Sequence, residues 1–256
     1  METHPPPASL PSLEAHRAWL WLPLALLALA AMALAVDCLV ARWISQRGCP
    51  IHVAKLIQLS EVFGHGLGVV VLVIVMHQLD AGRRWALPRV LFCSLGAEMA
   101  ANGVKMLAAR TRPRFFDFEE GVLATFTGWL PLGRGGALSQ SFPSAHTATA
   151  VGFAVALAWL YPRGRWVFAT LAILVACQRM QSRSHYLSDV LVGAAIGLIV
   201  AWTCLGSGWV ARQMDRLESR LKMTGKRSSD PSSGSAVPTE RPGTAVETDS
   251  RSLRAA

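Results

Sequence analysis

The sequence predicts an all-α protein, built as a bundle of six transmembrane helices. Its 256 residues are 52% hydrophobic and 16% charged, whereas a soluble domain usually carries about a quarter charged residues. Six apolar stretches follow one another along the chain, separated by polar, basic or glycine-rich connections. Because a segment inside a bilayer must satisfy all of its backbone polar groups internally, we expect these stretches to cross the membrane as helices.

The six apolar stretches define the predicted domain organisation. A bilayer core takes roughly 20 residues of helix, and the first stretch is too long for the apolar part of a signal peptide, so it predicts a retained span. Val210, Met214, Leu217 and Leu221 lie at near-helical spacing with basic residues between them, which predicts an interfacial helix. The boundaries are a polar segment 1–17, a membrane domain 18–210, an interfacial helix 211–224 and a disordered tail 225–256. The spans are residues 18–40, 62–79, 87–109, 144–160, 166–177 and 189–210.

The basic residues predict the orientation of these spans. Six spans place both termini on one side, together with the arginine-rich connections at 83–84 and 163–165. The positive-inside rule makes that side cytoplasmic, so the loop 111–142 and the stretch 178–188 face the exterior. The compact size and short loops suggest a bacterial inner (plasma) membrane. The net charge of +9 follows from this distribution, and the chain lacks the basic, aromatic-interleaved module typical of a nucleic-acid partner.

The sequence offers little support for disulfide or metal chemistry. The five cysteines are odd in number, widely spaced and mostly within or beside apolar segments. Such cysteines behave as small hydrophobic residues, so they predict neither a disulfide framework nor a metal site.

Charged residues beside membrane spans are costly and therefore mark functional sites. The sequence concentrates charged and histidine residues in three blocks beside the predicted spans, and two of these blocks flank the long outer loop. In residues 105–113, Lys105 and Arg112 are seven apart and can face one point; the alternative is snorkelling to lipid headgroups. In residues 141–146, Ser144 can cap the fourth span, and His146 lies beside free N–H groups that favour an anion. The alternative for His146 is a structural role.

The third block, residues 179–189, contains a histidine and a carboxylate in helical spacing. His185 and Asp189 are four apart, so the carboxylate can reach one ring nitrogen, as in a nucleophile and the group that orients it. An ordinary ion pair at a helix start is the alternative. Together the three blocks place cations, two histidines and an acid on one membrane face, and these are the groups that phosphoryl transfer requires.

These blocks resemble the signature of the type 2 phosphatidic acid phosphatase (PAP2) superfamily, which also includes vanadium haloperoxidases. That signature reads Lys-x6-Arg-Pro, then Pro-Ser-Gly-His, then Ser-Arg-x5-His-x3-Asp. The first part is complete in residues 105–113, the second reads Pro143-Ser-Ala-His146, and the third reads Gln178-Arg179-x5-His185-x3-Asp189. Ala145 replaces the usual glycine and Gln178 the usual serine, and neither change removes a catalytic group. Ala145 is costly only if its backbone needs a positive φ.

The resemblance implies a role for each matching residue. His185 would attack phosphorus and form a phosphohistidine, Asp189 would orient it, and His146 would protonate the leaving oxygen and then activate water. It implies no metal and no cofactor. Phosphate oxygens would be bound by Lys105, Arg112, Arg179, Ser144 and the N–H of Ala145. Further residues expected to support the site are Glu98 and Asn102, which share a helix face with Lys105, and Gln178 and Arg183.

The resulting prediction is an enzyme that hydrolyses a lipid phosphate or lipid diphosphate in the bilayer. Candidate substrates are phosphatidic acid, phosphatidylglycerol phosphate, a polyprenyl diphosphate such as undecaprenyl diphosphate, and a lipid A phosphate. The alternatives are a lipid phosphotransferase using the same His–Asp pair, and a non-catalytic protein that binds lipids or anions. Glu61 and His65, also four apart, either pair with each other, which we favour, or contact the headgroup. Headgroup, acyl chain and oligomeric state are not predicted.

Overall fold

A computed structural model of the protein describes residues 13–47, 49–132 and 136–228, and it is mostly helical. Two short strands, β1 (Ala108–Arg110) and β2 (Phe126–Trp129), pair antiparallel, with Ala109 opposite Gly128. The helices are α1 (Leu13–Ala33), α2 (Asp37–Gln46), α3 (Ile51–Leu59), α4 (Glu61–Gly64), α5 (Gly66–Leu79), α6 (Leu87–Lys105), α7 (Ala145–Leu160), α8 (Arg165–Gln181), α9 (Leu187–Leu205) and α10 (Trp209–Ser228).

The lengths and compositions of the helices identify a membrane protein. Two described helical stretches, Trp21–Gln46 and Leu187–Leu205, are long and apolar enough to cross a bilayer. The pair Ile51–Gly64 and Gly66–Leu79 would add a third span if its two bent parts cross together. The predicted all-α class therefore holds in its main feature, while the count of six spans stays a prediction.

Several predicted boundaries differ from the observed ones. The second span is not one straight helix, because the chain bends by 75° at His65, between α4 and α5. The third ends at Lys105 rather than at residue 109, since the next residues form β1 and hydrogen-bond to the loop strand β2. The fold is therefore not purely helical.

The predicted ends of the last two spans and of the terminal segments also need correction. α8 runs to Gln181 instead of residue 177, and α9 ends at Leu205, ahead of Gly206. α1 already begins at Leu13, inside the predicted polar segment 1–17. α10 extends past the predicted helix 211–224 to Ser228, so residues 225–228 are not tail. Residues 1–12 and 229–256, on which the remainder of these two predictions falls, lie outside the described residues.

The core is built around α7, which packs against α6, α8 and α9. Close approach of these helices depends on small residues, as is usual between membrane helices. A Cβ at Gly197 of α9 would lie 2.6 Å from the Ala148 carbonyl oxygen, and a Cβ at Gly193 would clash with the carbonyl oxygen of Ser144. The glycines thus fix how near α9 comes to the start of α7.

The C-terminal helix α10 packs against the opposite end of the bundle, where α6 begins. Arg89 is buried and forms ion pairs with Glu218, at 2.6 Å, and with Asp215. The ammonium group of Lys222 lies 3.6 Å from the centre of the Trp85 ring. The predicted helix is therefore present and anchored to the bundle, while its position at the membrane interface stays a prediction.

Candidate active site

The three sequence blocks meet where α6 ends, α7 begins and the α8–α9 connection passes between them. The Ser141 N–H donates to the Arg110 carbonyl at 3.0 Å, and the Ser144 N–H donates to the Asp189 carbonyl at 3.1 Å. The Ser141 hydroxyl also donates to the Asp189 carboxylate, at 2.6 Å. Backbone and side-chain hydrogen bonds therefore join all three blocks at one end of the bundle.

His185 is buried and has its ring orientation fixed by a backbone carbonyl. Its Nδ1 lies 2.5 Å from the Ser141 carbonyl oxygen. Because a carbonyl oxygen only accepts hydrogen bonds, Nδ1 carries the proton, and in the neutral ring Nε2 keeps a free lone pair. This is the tautomer that a nitrogen nucleophile requires.

Asp189 lies near His185 but does not make the expected hydrogen bond to its ring. Its Oδ2 is 3.9 Å from Nδ1, beyond hydrogen-bond distance but close enough for charge–charge interaction. The helical i,i+4 argument does not apply because α9 begins at Leu187, so His185 precedes the helix. Asp189 instead accepts the N–H of Tyr186, the residue that caps α9, at 2.9 Å.

The predicted phosphate-binding cations lie near the two histidines. Lys105, Arg112 and Arg179, which we call the cationic cluster, all lie close enough to His146 and His185 for charge–charge interaction. The buried Nε of Arg112 has no hydrogen-bond partner among the described residues. A buried donor without a partner is costly in a folded protein, so this guanidinium is suited to an incoming anion.

The pKa of Arg112 also indicates an anion-binding site at the cationic cluster. Burial and the nearby guanidinium groups of Arg114 and Arg179 lower the pKa of Arg112, which reflects positive charge that the surroundings compensate incompletely. A phosphate group would relieve both the repulsion and the missing hydrogen bond.

Ser144 and Ala145 form the start of α7, beside the half-buried His146. The Ser144 hydroxyl accepts the Thr147 N–H at 3.4 Å and caps the helix, as predicted. Ala145 is not among the described non-glycine residues with a positive φ. Its methyl group therefore costs no backbone strain, and the exchange of glycine for alanine is compatible with the site.

Gln178 and Glu61 hold the Arg179 guanidinium by hydrogen bonds. Arg179 donates from Nη2 to Glu61 at 2.8 Å and from Nε to the Gln178 side-chain oxygen at 2.6 Å. The Gln178 amide in turn donates to Glu61 at 3.1 Å. Glutamine is long enough to bridge these two groups, so its presence in place of serine has a structural reason.

The favoured pairing of Glu61 with His65 is wrong in this structure. Glu61 pairs with Arg179 instead, and His65 Nδ1 accepts the N–H of Leu67 at 3.2 Å. The chain bends at His65, so the spacing of four residues is not helical there. The ring of His65 contacts that of His146, with 5.5 Å between their centres.

The three other supporting residues contribute unequally. Glu98 lies close enough to Lys105 for charge–charge interaction, whereas Asn102 is exposed and has no hydrogen bond to Lys105 among the described contacts. The Arg183 side chain is also exposed, but its carbonyl accepts the Arg114 N–H at 3.1 Å. Arg183 thus supports the loop through its backbone.

Sequence reasoning did not assign roles to Asp37, Arg110 and Ser141. Arg110 occupies an unspecified position of the first block, and Ser141 acts both through its hydroxyl group, which donates to Asp189, and through its carbonyl, which accepts from His185. Asp37 lies inside the first apolar stretch, where an acidic residue is rare enough to be a signal. All three side chains are fully buried beside Asp189.

The burial of His185 predicts a pH dependence of stability. Burial and the nearby charges of Lys105 and Arg112 hold the pKa of His185 well below its usual value. Below pH about 6.5 the unfolded chain binds a proton that the folded chain does not. Stability should therefore be full above that pH and decrease as the pH falls below it, by up to about 1.4 kcal/mol per pH unit.

The midpoint of thermal unfolding in detergent, followed from neutral to acidic pH, measures this effect. In His185→Asn the unfolding midpoint should decrease less steeply as the pH falls. The control is His77→Asn at an exposed histidine, and its midpoint should decrease as steeply as that of the wild type. Equal acid sensitivity of wild type and His185→Asn would show that His185 is not the responsible group.

Among the described residues, no group of three or more His, Cys, Asp or Glu side chains could hold a metal ion. The site itself brings together His185, His146, the buried carboxylate of Asp189 and the cationic cluster.

Comparisons with known proteins identify relatives of this chain. The model of the PAP2 superfamily matches residues 86–213, half of the chain. Lipid A 1-phosphatase of Rhizobium johnstonii is 34% identical over 122 residues, covering 47% of this chain and 46% of that protein. Lipid A 1-phosphatase of Rhizobium etli is 36% identical over 100 residues, covering 39% of this chain and 40% of that protein.

A third relative is the bacitracin transport permease protein BcrC of Bacillus licheniformis, 30% identical over 104 residues, 37% of this chain and 50% of that protein. The chain thus matches half or less of the length of these curated relatives. No solved structure matches. The residues matched by the family model, 86–213, include both histidines, Asp189 and the cationic cluster. The chain belongs to the PAP2 superfamily.

Proposed function

We propose that this protein hydrolyses a lipid phosphate or lipid diphosphate through a phosphohistidine at His185, without a metal ion. The observation that carries the proposal is the His185 ring itself. Its Nδ1 donates to the Ser141 carbonyl, which leaves the Nε2 lone pair free beside the cationic cluster. A non-catalytic anion site needs the cations but gains nothing from a nucleophilic tautomer.

In the first step, Nε2 of His185 forms a bond to phosphorus while the bond from phosphorus to the leaving oxygen breaks. The negative charge of the bound phosphate keeps His146 protonated, and His146 gives this proton to the leaving oxygen, so that the lipid product leaves as an alcohol or a lipid monophosphate. The cationic cluster stabilises the charge on the phosphoryl oxygens. Asp189, 3.9 Å from Nδ1, stabilises the positive charge that the ring acquires.

In the second step, His146 takes a proton from water, and the water oxygen attacks phosphorus. The N–P bond breaks, inorganic phosphate leaves, and His185 returns to its neutral form. A lipid phosphotransferase would differ only by an alcohol in place of this water, so dependence of turnover on an added alcohol separates the two reactions.

The membrane arrangement that accompanies this proposal has six spans within a domain covering residues 18–210. The site lies at the end of the bundle where α6 terminates, and α10 with its basic residues lies at the other end. The positive-inside rule then places both termini in the cytoplasm and the site at the outer face of a bacterial inner membrane. An amphiphilic substrate would present its phosphate at that depth.

The relatives guide the choice of substrate. Two of them are lipid A 1-phosphatases from Rhizobium, so a lipid A phosphate is the first substrate to test. Phosphatidic acid, phosphatidylglycerol phosphate and undecaprenyl diphosphate complete the panel.

The test is phosphate release by the purified full-length protein in detergent with EDTA present. We expect release from at least one of the four lipids, and we expect EDTA to leave the rate unchanged. A rate that disappears with EDTA and returns with added divalent cation would contradict the metal-independent mechanism. No release from any of the four lipids would contradict the proposed hydrolysis and favour the anion-binding alternative.

A further inference from the structure

An acidic residue in the first apolar stretch reaches the active site. Asp37 begins α2 and is fully buried. Its carboxylate accepts hydrogen bonds from Arg110 Nη2, at 2.8 Å, from the Ser188 N–H, at 3.0 Å, and from the Ser188 hydroxyl. A carboxylate buried this deeply is retained only where charge and hydrogen bonds compensate its lost hydration.

Arg110 links this carboxylate to the one beside His185. Its Nη1 donates to Asp189 Oδ1 at 2.5 Å and to the Ser188 hydroxyl at 2.8 Å, while Nη2 holds Asp37. The guanidinium lies over the Tyr186 ring, 4.1 Å from its centre. Because guanidinium is planar with fixed donor directions, its position sets the position of both carboxylates.

The chain of contacts ends at the reacting group. Asp37 holds Arg110 and Ser188, Arg110 holds Asp189, and Asp189 neighbours the Nδ1 of His185. Asp37 also binds the backbone of α9 at its second residue, directly after the loop that carries His185. These contacts give a continuous route by which a shift of Asp37 would be transmitted to the surroundings of the His185 ring.

We propose that Asp37 is a positioning residue for the His185–Asp189 pair, acting through Arg110 and Ser188. The proposal rests on the function proposed above. It extends the active site beyond the part of the chain matched by the family model, which begins at residue 86. The helices α1 and α2, of which α1 packs against α9 and α2 against α8 and α9, then belong to the catalytic unit.

The contacts also predict which kinetic constant depends on Asp37. No described hydrogen bond joins Asp37 to the cationic cluster, so phosphate binding does not depend on it directly. Asp37→Asn keeps the shape of the side chain and removes its charge. We expect kcat to fall about 10- to 100-fold, as when a hydrogen-bonded supporting residue is lost, with KM and the inhibition constant of inorganic phosphate changed less than about twofold.

The matched control is Asp80→Asn. Asp80 is likewise paired with an arginine, Arg83, at 2.7 Å, and accepts the Tyr161 hydroxyl at 3.0 Å, but it lies at the opposite end of the bundle. This variant should retain wild-type kcat. Asp37→Glu, which restores the charge, should recover part of the lost kcat. In protein that already carries Arg110→Gln, adding Asp37→Asn should lower kcat much less than it does in the wild type, because Asp37 acts through Arg110.

A second readout does not require turnover. In protein labelled with 15N at histidine, the ring resonances of His185, assigned with His185→Gln, should shift in Asp37→Asn and not in Asp80→Asn. If the wild type released no phosphate, the proposed function would be wrong. The 15N shifts of His185 in Asp37→Asn would still show whether Asp37 positions this ring.

Two results would overturn the proposal. One is unchanged kcat and unchanged His185 resonances in Asp37→Asn. The other is that Asp37→Asn unfolds at a lower temperature and that a smaller fraction of its molecules binds phosphate, while each molecule that still binds phosphate turns over at the wild-type rate. That is the behaviour of a purely structural residue.

Discussion

Replacing His185 by alanine is expected to lower phosphate release by at least about 1,000-fold. The reason is that no other described side chain combines a free ring nitrogen, burial beside the cationic cluster and an oriented Nδ1 proton. Binding of inorganic phosphate should remain, because the cationic cluster is intact. The stability of the variant should also decrease less steeply than that of the wild type as the pH falls, since it lacks the buried neutral imidazole.

The measurement compares kcat and phosphate binding of wild type, His185→Ala and His77→Ala in the same detergent. His77 is exposed, so its replacement controls for the loss of an imidazole as such. Release by His185→Ala at a rate near that of the wild type would exclude this residue as the nucleophile.

Gly193→Ala is expected to produce the second large effect, through the backbone instead of the reacting groups. A Cβ at this position would clash with the Ser144 carbonyl oxygen and lie 3.3 Å from the Thr147 Cβ. Neither neighbour can rotate away, so α9 must move from the start of α7. That movement strains the hydrogen bond from the Ser144 N–H to the Asp189 carbonyl, which joins two blocks of the site.

We expect Gly193→Ala to lower the free energy of unfolding by about 1–3 kcal/mol, as overpacking does, and to lower kcat more than about 10-fold. The control is Gly103→Ala in α6, where no described atom lies within 4 Å of the added Cβ. That change should stabilise the helix by about 0.5–1 kcal/mol. Wild-type turnover and unfolding temperature in Gly193→Ala would contradict the close approach of α7 and α9.

The residue types of the site could be predicted because they follow spacing and composition. Lys105, Arg112, His146 and His185 all lie near apolar segments, where charge and imidazole have few other reasons to occur. Counting spans also predicted that the three blocks lie at one end of the bundle. This argument requires only that consecutive membrane helices run in opposite directions.

The partners within the site could not be predicted in this way. The expected hydrogen bond from the His185 ring to the Asp189 carboxylate assumed that one helix runs through both residues. Instead α9 starts after His185, and the ring donates to a backbone carbonyl in another block. The same assumption failed for Glu61 and His65, where the chain bends. Local spacing predicts a contact only if the helix boundaries are known to within a residue or two, which sequence patterns do not provide.

Long-range partners were inaccessible for a different reason. Asp37 and Asp189 are brought to one guanidinium by the packing of α1 and α2 on the later helices. A single sequence shows that Asp37 is an acid in an apolar stretch, but it does not show which cation compensates it. The strand pairing of β1 with β2, which places Arg110, is equally a product of the folded loop.

The central claim is that His185 carries the phosphoryl group, and trapping that intermediate tests it most directly. Wild-type protein would be mixed with lipid phosphate labelled at phosphorus, with EDTA present, quenched under alkaline denaturing conditions and digested. The account predicts an acid-labile, alkali-stable label on the peptide containing His185, absent from His185→Ala. Turnover without label at this peptide, or label on another side chain, would contradict it.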